Sequence, residues 1–184
     1  MQNRIKALWK EAFGDEDEII DAYIEKFHEC EMLLTREHDG KLLAMLHLVP
    51  FTAQGCRIAY IYALATATEE RGKGHATALI NEAISRSKEA GMDAVALIPA
   101  NEELKDYYSQ FGFKSAGNAI FEAEGFDFGT GDSKKDLLSI LPLNEKEESV
   151  ALPDNSTLVL KYDKKSFRRQ CPIFCVNEKN RIRI

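Results

Sequence analysis

Glu70-Arg71-Gly72-Lys73-Gly74-His75-Ala76-Thr77 joins an apolar strand-like run, Ala59-Tyr60-Ile61-Tyr62-Ala63-Leu64-Ala65-Thr66, to a helix-like run from Ala76 through Ala90. Two glycines and two basic residues mark the turn. Glycine admits positive φ and leaves room beside the backbone. The first turn of a helix offers N–H groups without internal partners and the positive end of the macrodipole. A strand, an amide-rich turn and a helix N-terminus therefore make a natural anion site. A dinucleotide fingerprint would want a third glycine where Thr77 stands, and a P-loop would want Ser or Thr directly after Lys73, where Gly74 stands. A tight strand-to-helix turn with no ligand is the remaining alternative, and these eight residues alone leave it open.

Working outward, the helix after the turn carries its apolar stripe at Ala76, Leu79, Ile80, Ala83 and Ile84, with Gly91 placed as its C′ residue. Ala94 to Ile98 is a short buried strand that Pro99 ends. Asn101-Glu102-Glu103 starts another helix with an N-cap and an acidic first turn, and Leu104, Tyr107, Tyr108 and Phe111 form its inner face until Gly112. Upstream, Ile5, Leu8, Trp9, Ala12 and Phe13 give a first amphipathic helix ended by Gly14. Asp15 and Glu18 read as a capping pair for a second helix, whose apolar face is Ile19, Ile20, Tyr23, Ile24 and Phe27. Met32 to Thr35 and Leu42 to Val49 read as strands joined by the hairpin signal His38-Asp39-Gly40, the second stopped by Pro50. Gln54-Gly55 then turns the chain into the strand at about Arg57 to Thr66. Beyond Phe113 the signals weaken: a strand over Asn118 to Ala123, a glycine-rich loop from Gly125 to Asp132, a short apolar element from Leu137 to Leu143, and a strand over Thr157 to Lys161 after the turn Pro153-Asp154-Asn155. This order implies an α/β (α+β) fold with a mixed sheet and helices on both faces.

The 184 residues suit one domain, or one domain with an appendage. A chain of this size buries about 70% of its unfolded surface, enough for a core without disulfides or metal. Hydrophobic residues make up 45% and charged residues 29%, and no apolar run reaches the ~20 residues that cross a bilayer. The start, Met1-Gln2-Asn3-Arg4-Ile5, lacks a signal peptide's apolar segment, so a cytoplasmic location is expected. Cys30, Cys56, Cys171 and Cys175 are irregularly spaced and read as reduced thiols; no ligand set for zinc is visible. The net charge of −6 divides into +6 over residues 161–184 and −12 over residues 1–160. An acidic body does not suit nucleic acid; it suits a cationic small molecule or peptide, or is solvated surface.

Taken together, Arg71-Gly72-Lys73-Gly74-His75-Ala76 after a strand, and then Asn101, Tyr108 and Gly112-Phe113 at the proper distance, resemble the GCN5-related N-acetyltransferase (GNAT) superfamily. Its hallmark is a strand ending in a bulge, followed by Gln/Arg-x-x-Gly-x-Gly/Ala opening a helix. The resemblance covers roughly residues 3–123 and a last strand near 157–162. It implies a twisted mixed sheet of about six to seven strands, in a domain spanning 1–163 with an insertion at about 124–155 and a basic extension over 164–184.

It also implies an acyltransferase that moves an acetyl group from acetyl-CoA to a primary amine, small molecule or peptide, by direct attack in a ternary complex. The cofactor-binding residues it implies are Leu64, Ala65 and Thr66 against the pantetheine amides, the backbone of Gly72, Gly74, His75, Ala76 and Thr77 under the pyrophosphate, Arg71 and Lys73 near the phosphates, and Asn101. Tyr108 is the expected general acid and also touches the cofactor. Many members carry a carboxylate on the strand before the glycine turn or five residues before the Asn; here the first strand has no Asp or Glu, and the second position is Ala96. A water chain, His47, Glu25 or Glu29 is left as base, with His47 also readable as a buried structural residue. Tyr23, Phe27, His28, Tyr60 and Tyr62 are expected to line an acceptor site compatible with a cationic amine. The missing carboxylates motivate the alternative of an acyl-CoA-binding sensor or interaction module with little or no transfer. The tail, with Cys171 to Val176 at its apolar centre, is expected to pack on the acidic body or on a second copy of the chain, giving a homo-oligomer. No nucleic acid, membrane or metal is expected.

Overall fold

A computed structural model describes residues 1–27, 32–128, 137–143 and 157–162. The tail over 164–184, Cys30, Cys171, Cys175 and the turn at Pro153-Asp154-Asn155 lie outside the described residues.

Two helices open the chain, α1 (Gln2–Phe13) and α2 (Asp17–Phe27). Gly14 ends α1 at φ 74°, its amide on the Lys10 carbonyl. Helix α1 buries Ile5, Leu8 and Trp9, and α2 buries Ile20, Tyr23 and Phe27, each at helical spacing. Phe13 and Ile19, read from periodicity as facing inward, are each 47% exposed at the rim of this pair. The capping pair is also not formed as expected. The Asp15 carboxylate accepts the indole N–H of Trp9 at 2.8 Å, tying the start of α2 back to α1.

The strands are β1 (Met32–His38), β2 (Lys41–Ala53), β3 (Cys56–Thr66), β4 (Ala94–Leu97), β5 (Lys114–Glu122), β6 (Leu137–Pro142) and β7 (Thr157–Tyr162). The helices between them are α3 (His75–Glu89) and α4 (Glu102–Ser109). Asp39-Gly40 and Gln54-Gly55 both have positive φ at the two turn positions, which matches the twist of the hairpins they join. The seven strands run in the order β1-β2-β3-β4-β6-β5-β7, with β3–β4 and β5–β7 parallel and the other neighbours antiparallel.

Pro50 does not stop β2. It pairs across to Ala59, and among the described residues it lies between the last β1 partner, at Leu48, and the first β7 partner, at Phe51. A missing N–H is tolerated at such a local edge. Strand β5 begins at Lys114, four residues before the expected start. Its register slips between Ser115 and Asn118 around Gly117 at φ 79°, and that irregularity hides the alternation.

Pairing of Phe51 with Tyr162 and Thr52 with Lys161 brings β7 back to β2, so six strands form a ring with β1 outside it. The helix pair α1–α2 covers one face, over Met45, Val49, Phe51, Ile58 and Leu160. Helices α3 and α4 cover the other, over Leu46, Leu48, Ile61, Val95 and Leu97.

Candidate active site

Strand β3 carries one residue too many. Met45 pairs with Ala65, but His47 pairs with Tyr62, and Ala63 inside the slip has φ 48°. A left-handed alanine costs on the order of 1–3 kcal/mol, and such strain gathers at functional sites. The parallel ladder to β4 ends at Tyr60–Ala96, β4 itself stops at Leu97, and β3 continues to Thr66. Two parallel strands thus part at the bulge. Leu64, Ala65 and Thr66 form the stretch that runs on past the parting, still paired to β2 on the opposite side through Ala65 and Thr66.

A 3-10 turn, Thr68–Glu70, leads from β3 to the glycines, and the Glu11 carboxylate of α1 holds it by the Thr68 amide at 2.8 Å. Gly72 lies at φ 76°, and Gly74, the N-cap of α3, at φ 84° and ψ 5° without any side-chain cap. A β-carbon at either glycine would meet no protein atom within 4 Å, so the space above the turn is open and positive φ alone selects glycine. The amides of His75, Ala76 and Thr77 occupy the first helical turn, which has no internal acceptors. This arrangement fits a diphosphate.

The basic side chains of the turn are engaged within the protein. Lys73 Nζ lies 3.1 Å and His75 Nε2 3.4 Å from the Glu70 carboxylate, while Arg71 Nε donates to the Thr66 carbonyl at 3.4 Å. Lys73 above all holds the Glu70 carboxyl below its ordinary value. At the far end of α3, Gly91 donates to Lys88 O and Met92 to Ser87 O, the two bonds of a Schellman stop.

Asn101 caps α4, its Oδ1 accepting the Leu104 amide at 2.9 Å. Tyr108 is the buried residue of α4, in one cluster with Ile61 and Leu97, the residues that flank the parting of β3 and β4. Burial first, and then Tyr107, push its phenol up to about 12. The Tyr108 hydroxyl bonds to none of the described residues. Tyr107 is half-buried; its ring meets Tyr108 edge-on at 5.4 Å, and its hydroxyl lies 3.0 Å from Thr77 Oγ1.

On the opposite face, Tyr23 and Phe27 are fully buried and Tyr60 nearly so, packed with Phe51, Phe121, Phe126 and Phe128. These residues are core, not the open wall of an acceptor site. Phe126 and Phe128 follow β5 in the stretch read as a glycine-rich loop; their two-residue spacing was the available signal. Tyr62 stays partly exposed, and burial first, with Asp15 and Asp127 adding to it, pushes its phenol up to about 12. Those two carboxylates approach β3 from outside the strand, which is why strand-based reading missed them. His47 is buried between the Trp9 and Tyr23 rings, as a structural residue would be. Glu25 is exposed, and His28 and Glu29 lie outside the described residues. Among the described residues no group of three His, Cys, Asp or Glu could hold a metal, and no helix is long and apolar enough to cross a membrane.

The family model described as "Acetyltransferase (GNAT) domain" matches residues 2–116. The chain belongs to the GNAT acetyltransferase family. No curated protein matches its sequence. Among solved structures, it is similar to a GNAT family N-acetyltransferase (YhbS) from Escherichia coli in complex with CoA, at 18% identity and TM-score 0.63, covering 91% of this chain and 87% of that one. A GNAT family acetyltransferase from Brucella melitensis in complex with acetyl-CoA gives 16% identity and TM-score 0.59 over 88% and 89% of the two chains. A protein from Corynebacterium glutamicum described as histone acetyltransferase HPA2 and related acetyltransferase gives 20% and 0.58 over 77% and 90%. At such identities the likeness is one of fold.

Proposed function

We propose that this chain transfers an acetyl group from acetyl-CoA to a primary amine by direct attack in a ternary complex, and that it works in the cytoplasm. The observation that carries the reading is the junction at β3. A bulge at Ala63 lies where β3 and β4 part, and two left-handed glycines open α3 immediately downstream. CoA complexes of two proteins sharing this fold support it.

The amides of His75, Ala76 and Thr77 would hold the pyrophosphate, with Gly72 and Gly74 keeping the surface clear. Backbone groups of Leu64 to Thr66 would meet the pantetheine amides as an added strand does. Arg71 and Lys73 lie close enough to add charge once Lys73 leaves Glu70, and Asn101 keeps its amide N–H₂ for a contact while its oxygen caps α4. The thioester supplies the activated acyl group. When the amine nitrogen attacks the carbonyl carbon, the C–S bond breaks, Tyr108 donates its proton to the departing sulfur, and the nitrogen sheds its remaining extra proton to solvent, from which the Tyr108 phenolate is reprotonated. A phenol raised to about 12 is fully protonated at neutral pH and ready for that role. An alkylammonium near pKa 10 must lose its proton before attack. With His47 enclosed by rings, we assign that acceptance to exposed Asp127, whose charge acts on Tyr62, directly or through water. Asp15 adds negative charge that suits a cationic acceptor.

Thiol release from acetyl-CoA across a panel of amines tests the reading. Turnover with a primary amine is expected. Acetyl-CoA binding without turnover on any amine would favour the sensor alternative, which the absence of a carboxylate on β3 motivates.

A further inference from the structure

Thr77 and Tyr107 stand thirty residues apart, on different helices, with their hydroxyls 3.0 Å apart. Thr77 is the third residue of α3, in the turn proposed above as the pyrophosphate cradle. Tyr107 precedes Tyr108 on α4 and touches its ring edge-on at 5.4 Å. We infer that Tyr107 is a positioning residue, which sets Thr77 to donate its hydroxyl proton to a phosphate oxygen. This rests on the cradle reading of residues 72–77.

The direction of the bond follows from donor counting. Each hydroxyl has one hydrogen and two lone pairs, so in the free protein either oxygen can donate. A diphosphate oxygen ionised at neutral pH only accepts. Thr77 can bond to it only by donating, and Tyr107 must then donate to Thr77. The resulting chain, Tyr107 O–H to Thr77 O–H to phosphate, is polarised in one sense and strengthened by the anion's charge. Without Tyr107, the Thr77 hydroxyl is free to turn back to a carbonyl of the preceding turn, as threonines within helices do. The same chain links the phosphate end of the donor to the helix that carries Tyr108.

The test measures binding of two ligands to four proteins: the unsubstituted chain, Tyr107→Phe, Thr77→Val and the double variant. Acetyl-CoA carries the diphosphate, and S-acetylpantetheine carries the same arm without it. Tyr107→Phe is expected to weaken acetyl-CoA binding about 3- to 10-fold, the range of one hydrogen bond. It should leave S-acetylpantetheine unchanged, and in the Thr77→Val background it should cost nothing further. Equal losses for both ligands would mean a merely structural tyrosine and would overturn the inference. An unchanged acetyl-CoA affinity in Tyr107→Phe, or independent losses in the double variant, would overturn it as well. Failure of the unsubstituted chain to bind acetyl-CoA would instead remove the cradle reading on which the inference stands. Melting temperatures of the three variants, read alongside, separate misfolding from lost contacts.

Discussion

Tyr108 sits in an apolar cluster with Ile61, Leu97 and Phe113 and keeps its hydroxyl out of any bond to the described residues, a poor use of a phenol unless something else takes it up. Tyr108→Phe keeps the ring and removes the proton. It is expected to lower kcat by about 10- to 1000-fold while acetyl-CoA affinity, measured by titration calorimetry, changes little. An unchanged kcat would take Tyr108 out of the reaction. The same burial has a consequence for stability. A tyrosine whose phenol is raised in the folded state contributes stability that is fully present below its unfolded value near 10 and is lost as pH rises through about 12. The chain should therefore lose about 2 kcal/mol between pH 10 and 12 from Tyr108 alone, with Tyr62 adding to it. Denaturant melts of Tyr108→Phe should show a shallower alkaline decline; an identical decline would contradict the assignment. At this scale the sequence was informative about local structure: Gly74 opens α3, Asn101 caps α4 and Tyr108 lies on the inner face of α4, as expected. It was uninformative about Asp15 and Asp127, because nothing in either neighbourhood announces that its charge acts on Tyr62.

Among the elements, β3 departs most from regularity, and the departure is useful. Ala63 at φ 48° lets the strand slip one residue against β2 just where β4 falls away. A β-branched side chain resists such a φ strongly, so Ala63→Val should destabilise the protein by about 1–2 kcal/mol and weaken acetyl-CoA binding. Thermal melts and titration read the two effects. Destabilisation with unaltered affinity would separate the bulge from the donor site. Helices α1, α3 and α4 and both hairpin turns were legible, because their glycines, caps and apolar spacing are local signals. Pro50 misled because its cost depends on which neighbour the strand has at that position, and among the described residues only β3 pairs with it. The slips in β2 near Leu43 and in β5 near Gly117 hid for a related reason. A bulge breaks the two-residue period on which strand reading relies.

For the molecule as a whole, the ring of six strands closed by β7 packs aromatic side chains from β2, β3, β5 and the stretch after β5 into one face. Leu160, fully buried on β7, ties that closure to the core. Leu160→Ala should cost about 2–5 kcal/mol, lowering Tm by roughly 5–20 °C in a chain of this size; a change of a degree or less would mean β7 is an ornament to the fold. The overall plan was legible as helices on both faces of a mixed sheet, while the closure was not, since pairing of residues 51 and 162 leaves no local trace. The donor half and the acceptor half consequently differ in kind: one is built of backbone and glycine, the other of side chains brought together only by the fold. The most direct measurement of the central claim is calorimetric titration of acetyl-CoA into the chain and into Gly74→Val. One equivalent is expected to bind the former, with at least about a tenfold loss in the latter, as a β-branched residue opposes φ 84° and intrudes on the phosphate. No binding to the unsubstituted chain, or equal affinity in a folded Gly74→Val, would contradict it.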